Sequence, residues 1–153
     1  MLGDVRLGEQ ASVWYQCVLR ADMAPITIGD RTNIQDLTMI HVDENVPCTI
    51  GNDVGVGHRA ILHGCTVEDF CLIGMGSVLL NQVYVGTGSV VAAGAVVREG
   101  MKIPPGSLVM GVPARVIKQV DPILRRRIQA TVDHYLELSR RHRAGDWERR
   151  TSL

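Results

Sequence analysis

Aliphatic residues recur every six positions along this chain, each usually followed by a small or turn-forming residue. Leu7, Val13 and Leu19 make one set, Ile28, Ile34 and Ile40 a second, and Ile50, Val56 and Leu62 a third. From Val67 the spacing runs unbroken through Ile73, Leu79, Val85, Val91, Val97, Ile103 and Val109. Three hexads predict one triangular coil: each supplies a short strand and a turn, the leading aliphatic points inward, and successive coils stack. The chain therefore reads as an all-β solenoid, a left-handed parallel β-helix of hexapeptide repeats over residues 1–117. Four places after each leading aliphatic the residue is mostly small (Ala11, Cys17, Thr32, Thr38, Val54, Ala60, Cys71, Ser77, Ser89, Ala95), as close-packed walls demand.

The spacing lengthens to nine between Leu19 and Ile28 and to ten between Ile40 and Ile50, and shortens to five between Leu62 and Val67. All three breaks fall at the end of a coil and predict loops at one corner of the prism. Gly111-Val112-Pro113-Ala114 ends the solenoid, because proline cannot donate to a ladder. Asp121-Pro122 then reads as an N-cap followed by a first-turn proline. Leu124, Ile128, Thr131, Tyr135 and Leu138 alternate spacings of four and three, which predicts one buried helical stripe. A helix packed on the β-helix is assigned to 118–144 and a tail to 145–153. Arg125, Arg126, Arg127, Arg140, Arg141 and Arg143 lie mostly outside the stripe and read as a solvated face.

Hydrophobic residues make up 46% of the chain but aromatics only 4%, which suits a narrow aliphatic core. Basic and acidic residues number 16 each, so no field attracts nucleic acid or an anionic membrane. The N-terminus carries no basic and apolar leader, and no apolar run reaches membrane-spanning length; a cytoplasmic protein is expected. Cys17, Cys48, Cys65 and Cys71 form no C-x-x-C pair and read as buried thiols rather than a disulfide framework.

The hexad frame turns histidine spacing into geometry. His41 follows Ile40 and His63 follows Leu62, so both stand on the third side of successive coils, with Arg20 in the same column one coil earlier. Stacked strands about 4.8 Å apart let two imidazoles share one ion at about 2.1 Å. His58 lies two places after Val56, on the second side; sides two and three of a triangular prism face about 120° apart, so unless His58 sits close to their shared corner it cannot reach an ion held by His41 and His63 of its own chain. A three-fold trimer brings side two of one subunit against side three of the next, so the metal would be shared between chains. Three histidines leave one coordination place open for a water, whose pKa the ion lowers toward 7. The plain alternative is that these histidines only decorate turns. His134 and His142 share no such register and read as surface residues.

Ser12-Val13-Trp14, Val18-Leu19-Arg20-Ala21-Asp22, Ile28-Gly29, Thr32-Asn33-Ile34-Gln35-Asp36, His41, Gly57-His58-Arg59-Ala60-Ile61-Leu62-His63-Gly64-Cys65 and Ile73-Gly74-Met75-Gly76 together resemble the gamma-class carbonic anhydrases over nearly the whole chain up to the helix. The resemblance implies a lyase that reversibly hydrates CO₂ to bicarbonate at a subunit interface of a homotrimer. His41, His58 and His63 would be the metal ligands, for zinc or else iron or cobalt. Gln35 would hydrogen-bond the nucleophile, Asn33 would orient the neighbouring groups, and Tyr135 matches a tyrosine that looks toward the metal. Arg20 would pair across the boundary with Asp36, with Asp22 nearby. Simpler roles stand beside these: Tyr135 fits the packing stripe, Arg20 and Asp36 fit an interface ion pair, and Gln35 fits a turn.

The chain departs from the family pattern in three places. The loop after His41 is only Val42-Asp43-Glu44-Asn45-Val46-Pro47, in place of a long acidic loop, and Met23 stands where a shuttle glutamate is expected. Asp43 or Glu44 is then the candidate proton shuttle. Relatives also carry a coil before Gly3-Asp4-Val5, which leaves the first coil here uncovered. Rival expectations keep the fold: a metal-dependent thioesterase acting on acyl-coenzyme A, an acyltransferase with one general-base histidine, or a non-catalytic trimeric metal-binding scaffold.

Overall fold

The computed structural model describes residues 1–146; of the tail assigned to 145–153, residues 147–153 lie outside the described residues. The fold is a left-handed parallel β-helix of about six turns followed by one helix, as the hexads predict. The first face stacks Leu2–Leu7, the end of Val18–Ile28, Cys48–Ile50, Thr66–Val67, Tyr84–Val85 and Lys102–Ile103. The second stacks Ser12–Val13, Asn33–Ile34, Gly55–Val56, Leu72–Ile73, Val90–Val91 and Ser107–Gly111. The third stacks the start of Val18–Ile28, Met39–His41, Ile61–His63, Val78–Leu79 and Val96–Val97.

Every leading aliphatic from Leu19 to Val109 is buried in one continuous core. Two positions depart from the pattern: Leu7 is exposed and Val13 half-buried, because the first coil has a neighbour on one side only. Some polar residues inside the narrow wall are satisfied across coils, whereas the buried Ser107 hydroxyl has no hydrogen-bond partner among the described residues. The Thr32 hydroxyl donates to the Gly51 carbonyl at 2.7 Å and Ser89 to that of Pro104 at 3.1 Å, so their burial is compensated. Cys48, Cys65 and Cys71 are buried free thiols, while Cys17 is free but only half-buried, because it lies in that thinly covered first coil. Burial pushes the Cys71 thiol up to about 12.

The first spacing break is not a loop. Val18–Ile28 remains one strand that turns the corner, pairing Leu2 with Arg20 and Gly3 with Ala21 before Val5 with Ile26, and so it joins the first and third faces into one sheet. The second break is the turn Asp43–Val46, closed by the Val46 amide donating to the Asp43 carbonyl at 3.0 Å.

At the far end Ala114–Gln119 runs back antiparallel to Ser107–Gly111. The sequence pattern divides these residues between the end of the β-helix and the start of the helix, because the mostly exposed strand they form has no apolar alternation to announce it. The helix itself is Pro122–Ala144, with Asp121 Oδ1 accepting from the amides of Ile123 and Leu124 at 3.1 and 2.9 Å. It lies over the second face, against Ser12–Val13 and Gly55–Val56. Its fully buried residues are Ile128 and Val132; the expected stripe members Leu124, Thr131, Tyr135 and Leu138 are half-buried, so the stripe is rotated toward Val132. Gly55 makes room for this packing: a Cβ there would stand 3.0 Å from Thr131 Cγ2 and 3.2 Å from Leu72 Cδ1. No helix among the described residues is long and apolar enough to cross a membrane.

Candidate metal centre

Ladder register brings His41 and His63 together. Leu19 pairs with Ile40 and Arg20 with His41, then Ile40 with Leu62 and His41 with His63, so the three polar residues form one outward column on the third face. His41 Nδ1 and His63 Nε2 lie 2.9 Å apart. Two nitrogens each about 2.1 Å from one tetrahedral ion stand about 3.4 Å apart, so parting these rings by about half an ångström admits a divalent ion. The donor set fits such an ion. Asp43 stands beside it: its Oδ1 is 4.0 Å from His63 Nε2, and among the described residues its carboxylate groups with the two histidines within 4.8 Å. Glu44, on the same turn, is exposed.

Each histidine is anchored behind. His41 Nε2 lies 3.2 Å from Asp22 Oδ1, and Asp22 in turn accepts from Arg20. Lost solvation pushes the Asp22 carboxyl up, but hydrogen bonds from Arg20, its own amide and His41 together more than reverse this and leave it below the usual carboxylate range. His63 Nδ1 lies 2.7 Å from Asn81 Oδ1, and Asn81 Nδ2 donates to Asp43 Oδ2 at 2.6 Å. The sequence pattern does not single out Asn81. Its signal is slight, a polar residue one position past the third-face column at the end of an apolar run, Val78-Leu79-Leu80.

His58 stands apart from this pair, in the corner turn that follows Gly55–Val56 of the second face, and is not among the residues that group with His41, Asp43 and His63. Its Nδ1 lies 2.9 Å from Asp36 Oδ2 and its Nε2 3.3 Å from the Tyr135 hydroxyl. Within the chain Arg20 thus pairs with Asp22, and Asp36 with His58. Gln35 is buried nearby, its Nε2 donating to Asn33 Oδ1 at 2.9 Å. Burial first, and the Asp36 charge second, push the Tyr135 hydroxyl above its ordinary value of 10.0. Gln35, His58 and Tyr135 border a cavity of about 620 Å³ between the second face and the helix, walled by apolar side chains including Leu72, Val90, Leu108 and Leu124.

The two faces differ outwardly as well. Beside the histidine column Val18, Met39 and Ile61 are in ladder register and remain 50%, 38% and 40% exposed.

Residues 64–99 match the bacterial transferase hexapeptide (six repeats) family model. The chain is 41% identical over 150 residues to gamma carbonic anhydrase 1, mitochondrial, of Arabidopsis thaliana, covering 94% of this chain and 54% of that one; it spans about half the length of that curated relative. It is 40% identical to a carbonic anhydrase of Geobacillus kaustophilus, covering 93% of this chain and 78% of the relative. Among solved structures, a provisionally named acetyltransferase of Bacillus cereus superposes with a TM-score of 0.91 at 39% identity, over 93% of this chain and 83% of that one.

Proposed function

The chain belongs to the gamma-class carbonic anhydrase family, and on that premise we propose that it is a metal-dependent enzyme of reversible CO₂ hydration whose centre forms between subunits of a homotrimer. One observation carries the reading: two histidines converge on the third face while a third, separately anchored, stands apart in the corner turn after the second-face strand Gly55–Val56. His41 and His63 of one subunit and His58 of the next would hold the ion, zinc or else Fe²⁺ or Co²⁺. When bound, the ion supplies Lewis acidity that makes water a nucleophile near neutral pH.

The chain's own residues do the rest. Asp22 and Asn81 fix the backs of the His41 and His63 rings, and Asp36 fixes that of His58. Because Gln35 Nε2 is committed to Asn33, Gln35 Oε1 is left as an acceptor that can take the O–H of the attacking water and aim its lone pair. Water adding to CO₂ gives bicarbonate and one proton. Asp43, beside the His41–His63 pair, would accept that proton, and Glu44, exposed on the same turn, would pass it to solvent. Tyr135 keeps its hydrogen through the neutral range and so acts as a hydrogen-bonding wall of the site, not as a base. Arg20 and Asp36, which pair within the chain with Asp22 and His58, would pair with each other across the subunit boundary.

The cavity favours a second reading. A space of about 620 Å³ with apolar walls is of the size that holds a drug-sized organic ligand, far more than CO₂ needs, and supports hydrolysis of an acyl-coenzyme A thioester at the same centre. Stopped-flow CO₂ hydration, run on metal-replete protein and on anaerobic iron-loaded protein beside a panel of short acyl thioesters, separates the two. Metal-dependent hydration abolished by His63→Ala is the expected result. Thioester turnover alone would move the assignment to the second reading; an intact, metal-loaded trimer with neither activity would leave a scaffold.

A further inference from the structure

Asn81 decides a question about His63 that the ring alone leaves open: which nitrogen carries the hydrogen. Asn81 turns its amide nitrogen toward Asp43 Oδ2 and donates to it at 2.6 Å. The carbonyl oxygen of the same amide must then face His63 Nδ1, 2.7 Å away. That oxygen also only accepts, so Nδ1 carries the hydrogen, and in the neutral ring Nε2 is left with a free lone pair. His63 Nε2 is the atom that faces His41 Nδ1.

We propose that Asn81 is a positioning residue that Asp43 orients and that imposes the Nδ1–H tautomer on His63, so that Nε2 is presented to the ion. The proposal rests on His63 being a ligand, as in the function proposed above. The turn after His41 and the strand end at His63 are thereby tied through one amide: Asp43 orients Asn81, and Asn81 orients His63. Gly64 keeps the place open, since a Cβ on it would fall 2.5 Å from Asn81 Oδ1 and 2.6 Å from Val46 Cγ1. The Asn81 backbone is held independently, its carbonyl accepting from the Gly100 amide at 2.9 Å, so the side chain is presented from a fixed strand end.

Long-range ¹H–¹⁵N correlation on the metal-free, ¹⁵N-labelled protein reads the tautomer directly, with His63→Ala assigning the signals. The wild-type protein is expected to show His63 as Nδ1–H. Asn81→Leu is expected to lose that preference and to bind Zn²⁺ about 10–100-fold more weakly in chelator competition. Asp43→Ala removes the group that orients the amide and is expected to mix the tautomers even though Asn81 is intact. The exchange Asp43→Asn with Asn81→Asp keeps an acceptor toward His63 and a donor–acceptor pair between positions 43 and 81, and restores both readouts. An Nε2–H ring in the wild type, or an unchanged tautomer in both Asn81→Leu and Asp43→Ala, overturns the proposal. Because the tautomer is read without metal, its outcome is separate from a failure of CO₂ hydration, which would count against the proposed function alone.

Discussion

The second and third faces of this prism are built from the same hexads and meet different fates outside. On the second, Ile128 and Val132 of the chain's own helix close the surface, Asn33 and Gln35 are buried, and Tyr135 of that helix reaches His58 at the adjoining corner. On the third, Val18, Met39 and Ile61 stay open beside His41 and His63. The interior aliphatics fix the coil and are indifferent to this contrast; the outward residues decide whether the chain's own helix covers a face or leaves it open. A centre that draws ligands from one finished and one unfinished face needs two chains, which is why assembly and metal binding are coupled in the proposed function.

The contrast breaks most severely at Ile61. Ile61→Asp puts a charge on the open face where the proposed trimer closes, and the molar mass in sedimentation should fall to that of one chain. Zn²⁺ content and CO₂ hydration should fall with it, the latter by at least about 100-fold. A trimer with full metal would show that the third face is not the interface. On the covered face, Ile128→Ala should cost about 2–5 kcal/mol in urea unfolding while leaving the assembly intact, because the helix lies within one chain. Gly55→Val tests the same packing from the strand side, where a side chain would meet Thr131 and Leu72, at about 1–3 kcal/mol.

The smallest effect is expected at Tyr135. Tyr135→Phe removes its contact with His58, about 0.5–1.5 kcal/mol, and should leave the neutral pH dependence of hydration unchanged in shape. Spectrophotometric titration should find this hydroxyl ionising above its ordinary value of 10.0. The folded chain then keeps a proton that the unfolded chain has lost, so the group's contribution is level at lower pH and stability declines as pH rises past about 10.

Legibility follows the same division. The leading aliphatics announce the coils because a six-residue period survives in sequence, and from Leu19 to Val109 all are buried. The pairing of His41 with His63 is legible because both stand one place after a leading aliphatic, and ladder register converts that offset into contact. The separation of His58 follows from its offset of two places after Val56, which puts it in the corner turn and outside the His41–His63 column. Asn81 is hidden because its link to Asp43 spans 38 positions and depends on side-chain direction, which no spacing encodes. The corner-turning course of Val18–Ile28 reads as a loop in sequence because an insertion looks the same whether it bulges or stays extended. The spacing pattern favours Thr131 over Val132, its neighbour on a helix where adjacent residues point about 100° apart and the packed surface picks one.

That unbroken corner has a consequence for how the molecule opens. Elsewhere neighbouring faces are separate short ladders, free to fray one at a time, but Val18–Ile28 makes the first and third faces a single hydrogen-bonded ribbon at the level of the histidine column. Arg20, next to His41 in that ladder, cannot part from it without loading the bonds from Ile26 to Ile28 as well. The column is therefore supported by a cooperative unit larger than its own coil, and its fluctuations are set by the breathing of two walls together.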